Sequence, residues 1–122
     1  MVKSILVLCL VLLPVQAFGE VMHYTKCKLN DGKTIADVQA WVDAWRVLKK
    51  NEGIDYRVRL LVPHADNDLG SDEFFIEGGS SNLESYAKAW TWWYSDPDAA
   101  KSNDQLTAAA DCDSGAVYRS TD

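Results

Sequence analysis

Arginine, glutamate and aromatic residues alternate along several short segments of this 122-residue chain. Counted by a period of two, Met22, Tyr24, Arg57, Arg59, Leu61, Phe75, Glu77, Val117 and Arg119 fall on one common side. Guanidinium groups bind carboxylates and phosphates through paired N–H donors, and aromatic rings stack on planar groups. Tyr24, Arg57, Arg59, Phe75, Glu77 and Arg119 are therefore candidate ligand-binding residues for a small anionic or aromatic ligand. The same residues also suit a subunit interface or a wet face laced with internal Arg–Glu pairs.

Other chemistry-bearing residues read more plainly. His23 alternates onto the apolar side of its segment, as a buried, hydrogen-bonded histidine does. His64-Ala65-Asp66-Asn67-Asp68 offers oxygens for a divalent cation, but it lacks the glycine and terminal glutamate of a calcium loop and reads as a solvated polar loop. No metal site and no cofactor are expected. Trp90, Trp92, Trp93 and Tyr94 could form a stacking platform for sugars or planar ligands, but Trp90 and Trp93 match a helical core stripe and read as packing, whereas Trp92 falls off it and is expected at the surface or an interface. There is no G-x-S-x-G motif and no P-loop, and Gly78-Gly79-Ser80-Ser81 reads as a turn that opens a helix. With 18 acidic residues, paired carboxylates carry no information about glycoside hydrolysis. No catalytic residue is assigned from spacing.

The N-terminus places the protein. Met1-Val2-Lys3-Ser4 is a short basic start, Ile5 to Leu13 an apolar run, and Val15-Gln16-Ala17 and Ala17-Phe18-Gly19 are small-residue cut points. This is the layout of a secretory signal peptide over residues 1–19, which predicts a secreted or periplasmic protein. Its removal leaves 103 residues, and the loss of Lys3 takes the net charge from −6 to −7. Such an acidic chain is a poor partner for nucleic acid. No later apolar run could span a bilayer, so no membrane association is expected after cleavage. Cleavage also removes Cys9 and leaves Cys27 and Cys112, an even pair that predicts one disulfide in an exported chain.

These residues must be positioned by elements that the patterning foretells. Residues 20–29 alternate as a strand, and Asn30-Asp31-Gly32 turns the chain. Thr34 and Asp37 cap a helix whose stripe is Ile35, Val38, Trp41, Val42, Trp45 and Leu48, closed by Gly53. Residues 56–62 and 72–78 are two further strands. Ser81 and Glu84 form a capping box ahead of the Leu83, Tyr86, Ala87, Trp90, Trp93, Tyr94 stripe, and Asp96-Pro97 starts another helix. Residues 112–120 form the last strand. Residues 20–122 thus make one α+β domain of order βαββαβ, ferredoxin-like, with a four-stranded antiparallel sheet. Its first and last strands are antiparallel neighbours, so Cys27 late in one faces Cys112 early in the other. Unbroken pairing from there sets Val21 opposite Tyr118. The apolar members of the mixed face fit poorly in water, so a second copy is expected to cover it in a homodimer.

A chain of about 100 residues with this order and Trp-rich helices resembles the dimeric α+β barrel superfamily, which includes antibiotic-biosynthesis monooxygenase-like and stress-responsive barrel families. The resemblance rests on the segments 21–29, 35–48, 56–62, 72–78, 81–94 and Val117-Tyr118. It implies two sheets paired face to face. It also implies an alternative to a binding or interaction module, a cofactor-independent oxygenase acting on a small aromatic substrate. In that case Tyr24, Arg57 and His23 are the first candidates to line the site.

Overall fold

The computed structural model describes residues 19–65, 69–113 and 115–121. The signal-peptide reading therefore lies almost wholly outside the described residues, as do Asp66 and Asp68 of the polar loop. Thr34 is extended, and the Asp37 carboxylate accepts from its backbone N–H at 2.7 Å, which starts α1 (Ile35–Glu52). Gly53 ends it in the left-handed conformation at φ 65°, beside Lys49 and Lys50 at the negative end of the helix dipole. The predicted stripe is the buried one. Val38 and Val42 are fully buried with Trp41 and Trp45 between them.

The strands are β1 (Val21–Leu29), β2 (Arg57–Leu61), β3 (Glu73–Ser80), β4 (Ala110–Cys112) and β5 (Ala116–Arg119). They form one antiparallel sheet of order β2-β3-β1-β4, with β5 also paired to β1. β4 and β5 share the fourth strand position, so this is the ferredoxin-like order with its last strand in two pieces. Helices α2 (Leu83–Ser95) and α3 (Pro97–Ala109) follow β3. Asp96 caps α3, its carboxylate accepting from the Asp98 and Ala99 N–H groups. α1 and α3 close the core over Phe74, Ile76, Val58 and Cys27, and the Trp41 indole donates to Ser102 Oγ between them at 3.1 Å.

Three local expectations are corrected. β3 runs through Gly78 and Gly79 to Ser80 instead of breaking there. A side chain at Gly78 would meet the Tyr56 hydroxyl at 2.1 Å, so this glycine serves a close approach within a strand. α2 is capped by Asn82, which accepts from Ser85 N–H at 2.8 Å, while the Ser81 N–H is taken by Asp55. The break between β4 and β5 is a β-bulge. From Cys27 to Tyr24 is three steps on β1, whereas their partners Cys112 and Ala116 are four steps apart. The extra residue sets Val21 opposite Arg119, not Tyr118.

Candidate ligand cavity and the open sheet face

Cys27 and Cys112 are directly opposed on β1 and β4 and joined by a disulfide across 85 residues, with Cα atoms 4.0 Å apart. The pairing predicted from cysteine count and strand order is the one found. The bulge that begins just after Cys112 decides which residues share a face. A slip of one residue exchanges the two sides of a strand. Arg119 and Val117 therefore alternate onto the helix side with Val21 and His23, while Tyr118 and Ala116 join the open face with Met22 and Tyr24. Arg119, expected among the candidate ligand residues of the open face, does not belong to it.

The other five candidates do share that face. Register places Arg59, Glu77, Tyr24 and Ala116 in one row, flanked by Arg57, Gly79, Met22 and Tyr118 on one side and Leu61, Phe75 and Lys26 on the other. Arg59 donates to Glu77, whose side chain is almost entirely buried. The hydrogen bond from Arg59 holds the Glu77 carboxyl below the usual carboxylate range. The Tyr24 phenol faces the same carboxylate, and that contact raises the phenol, which stays protonated. Arg57 pairs with Glu20 at 2.7 Å. Each arginine of the face is thus already answered by a carboxylate. Apolar surface remains beside them, with Tyr118 exposed and its ring 5.6 Å from Tyr24. Arg57, Arg59 and Glu77 also line a concavity of about 820 Å³ beside β2, where Arg46, Lys49 and Lys50 collect.

A second cavity, of about 720 Å³, opens on the opposite side, between the sheet and the helices. Eight aromatic side chains line it: Trp41 and Trp45 from α1, Tyr56 just before β2, and Tyr86, Trp90, Trp92, Trp93 and Tyr94 from α2. Their rings touch in series. Trp45 lies 5.8 Å from Tyr56, Tyr56 6.2 Å from Trp90, and Trp90 5.5 Å from Tyr94. The chain ends at the surface, since Tyr94 is 80% exposed. Only Ala89 of α2 is buried, so the helix lines the cavity with its rings and leaves it unfilled. Trp90 and Trp93, expected in the core, are half-buried walls. Trp92, expected at the surface or an interface, is half-buried and lines the same cavity. The indole N–H of Trp92 is buried without a hydrogen-bond partner among the described residues, whereas that of Trp90 faces the Tyr56 and Tyr86 hydroxyls.

Polar groups are few here. His23 lies 5.0 Å from the Trp90 ring, and burial lowers its pKa, which keeps the imidazole neutral near pH 7. Burial likewise pushes the Tyr56 phenol far up, so it remains a neutral hydroxyl. Thr25, Asn103 and Asp113 add to the polar lining. Tyr56, Tyr86 and Asp113 were not singled out as site residues from sequence. One signal for them was present: the rings of two helical stripes and Tyr56 all point at one side of a sheet that carries Gly78 and Gly115. Among the described residues no group of three or more His, Cys, Asp or Glu side chains could hold a metal ion. Nor is any helix there long and apolar enough to cross a membrane.

The fold is shared with solved structures at low sequence identity. It is similar to SnoaB, a cofactor-independent oxygenase from Streptomyces nogalater, at 12% identity and a TM-score of 0.57 over 85% of this chain and 95% of that one. It is similar to a hypothetical protein of Arabidopsis thaliana at 14% identity and a TM-score of 0.61, covering 87% and 92%. A dimeric protein of unknown function with a ferredoxin-like fold, from Bacteroides fragilis, matches at 13% identity and a TM-score of 0.51, covering 84% and 99%. No protein-family model matches the chain, and no curated protein matches it. The chain has a ferredoxin-like α+β fold.

Proposed function

We propose that this is an exported, disulfide-bridged homodimer that binds a small aromatic molecule in the cavity between its sheet and helices. The observation that carries the reading is the 720 Å³ cavity walled by eight aromatic side chains. Its size is that of a small-molecule site, and a few polar groups set in apolar walls are what orient a ligand. The buried Trp92 indole N–H, without a partner among the described residues, favours a ligand that brings an acceptor oxygen. The open face, with its arginines internally paired and Phe75, Leu61 and Tyr118 beside them, suits contact with a second copy. The dimeric neighbour of the same fold supports that arrangement.

Native mass spectrometry of the mature protein, purified from an exported expression, tests both parts. The expected result is a dimer that has lost two hydrogens per chain and carries, or takes up, one aromatic molecule per cavity. A monomer would overturn the dimer, and a protein that takes up none of a panel of aromatic compounds would overturn the cavity reading.

A second reading, cofactor-independent oxygenation, is favoured by one observation. His23 is a neutral imidazole held against the cavity wall, fit to take a proton from a bound phenol. Oxygen consumption that follows an added phenol, and that His23→Gln abolishes, would support it. Uptake without oxygen consumption would leave a binding module.

A further inference from the structure

We infer that the cavity selects organic cations carrying an aromatic group and excludes organic anions. The inference rests on the cavity reading above and adds the charge of the ligand. The walls are ring faces, whose negative quadrupole attracts ammonium and guanidinium groups. Among the described residues no lysine or arginine lines the cavity, and Asp113, itself exposed at the rim, is the one carboxylate that does. Among the described residues Asp113 has no ion-pair partner; its recorded hydrogen bond runs from its backbone N–H to Lys26. Lys49 sits over the Trp45 ring at 5.8 Å but does not line the cavity. His23 is held neutral by burial and neither repels a cation nor attracts an anion. The whole chain carries a net charge of −6, and low-dielectric walls concentrate such a field. Arg46, Lys49, Lys50, Arg57 and Arg59 gather instead at the concavity beside β2.

The test uses three probes with the same ring and a tetrahedral head of different charge: benzyltrimethylammonium, neopentylbenzene and phenylmethanesulfonate. Binding is read on the indole N–H resonances of Trp90 and Trp92, assigned with Trp90→Phe and Trp92→Phe. These report on the aromatic cavity and not on the basic concavity. The ammonium is expected to bind about tenfold more tightly than the neutral hydrocarbon, a ratio within the range of cation–π attraction. The sulfonate is expected to move neither resonance at concentrations that saturate with the ammonium. Its oxygens could accept from the indole N–H groups, so its rank sets charge against hydrogen bonding. Asp113→Asn should narrow the gap between cation and hydrocarbon about threefold. Equal binding of ammonium and hydrocarbon, or preference for the sulfonate, overturns the charge selection and leaves the cavity reading intact. Failure of all three to move either resonance overturns both.

Discussion

Removing the disulfide should be the most damaging single covalent change to this domain. The bridge closes an 85-residue loop. In the chain-entropy account, releasing such a loop returns about 4.5 kcal/mol of freedom to the unfolded chain at 25 °C. For a domain of about 100 residues this corresponds to a fall in Tm of about 20 °C. Cys27 is buried against Phe74 and Val38, whereas Cys112 is half-exposed, so the two single variants separate bridging from packing. Cys112→Ala should show nearly the full loss, and adding Cys27→Ala should cost about 1–2 kcal/mol more for the buried sulfur. The two losses therefore must not add, because either change alone breaks the bridge. Calorimetry of the wild type, both single variants and the double variant checks this. Additive effects, or a fall below about 5 °C in Cys112→Ala, would refute the reasoning.

Three further outcomes are expected. Phe75→Asp and Tyr118→Asp, each on the open face, should convert a dimer to monomers in analytical ultracentrifugation while far-UV circular dichroism stays unchanged. Gly115→Ala should lower stability by about 3 kcal/mol or more, because the added Cβ would lie 1.9 Å from the Tyr24 carbonyl oxygen; an unchanged denaturant midpoint would contradict the bulge. His23 has a folded-state pKa below its unfolded value of 6.5, so its contribution is complete above that value and is lost as pH falls through the folded pKa. Urea midpoints measured from pH 7.5 to 5 should drop, and the His23→Gln variant should show a shallower drop over the same range.

The order of elements was legible because the strongest local signals agree with tertiary packing. Thr34 with Asp37, Gly53, and Asp96 with Pro97 mark helix ends by the hydrogen bonds that helix termini require, and the structure makes those bonds. The cysteine pairing was legible because strand order alone brings positions 27 and 112 together. The bulge was hidden from a count by twos. Period-two alternation is blind to one inserted residue, although Gly115 was a hint of it. That single residue moved Arg119 from one face to the other. Gly78 misled for a related reason. A glycine that ends a strand and one that lets a ring lie against it look alike until Tyr56 is known to cross there. The aromatic rings of α2 read as core packing more readily than as a stacking platform, because a helical stripe shows which side of α2 faces inward, not how far that side stands from the sheet.

That distance is what separates the two faces of this sheet. α1 and α3 approach closely enough to bury Val38, Val42 and Ala99 completely. α2 cannot do the same. Its inward positions carry Tyr86, Trp90 and Trp93; the Tyr86 and Trp90 rings stand 6.0 Å apart and meet Tyr56 at 6.1 and 6.2 Å, and such rings are too bulky to nest onto the sheet as alanine and valine do. Small residues beneath make room for the wall and not for the helix. Gly78 is occupied by the Tyr56 ring, and Gly115 lies against His23. Close packing would favour smaller side chains on α2, yet the rings persist with the Trp92 N–H unanswered among the described residues. Buried donors without partners cost stability, and a native chain carries them where something else completes them. The open face has the opposite character, with its arginines matched to glutamates inside the chain. Among the described residues the unmet hydrogen-bonding demand lies on the helix side, at Trp92, and that is where a ligand would do the most for this domain.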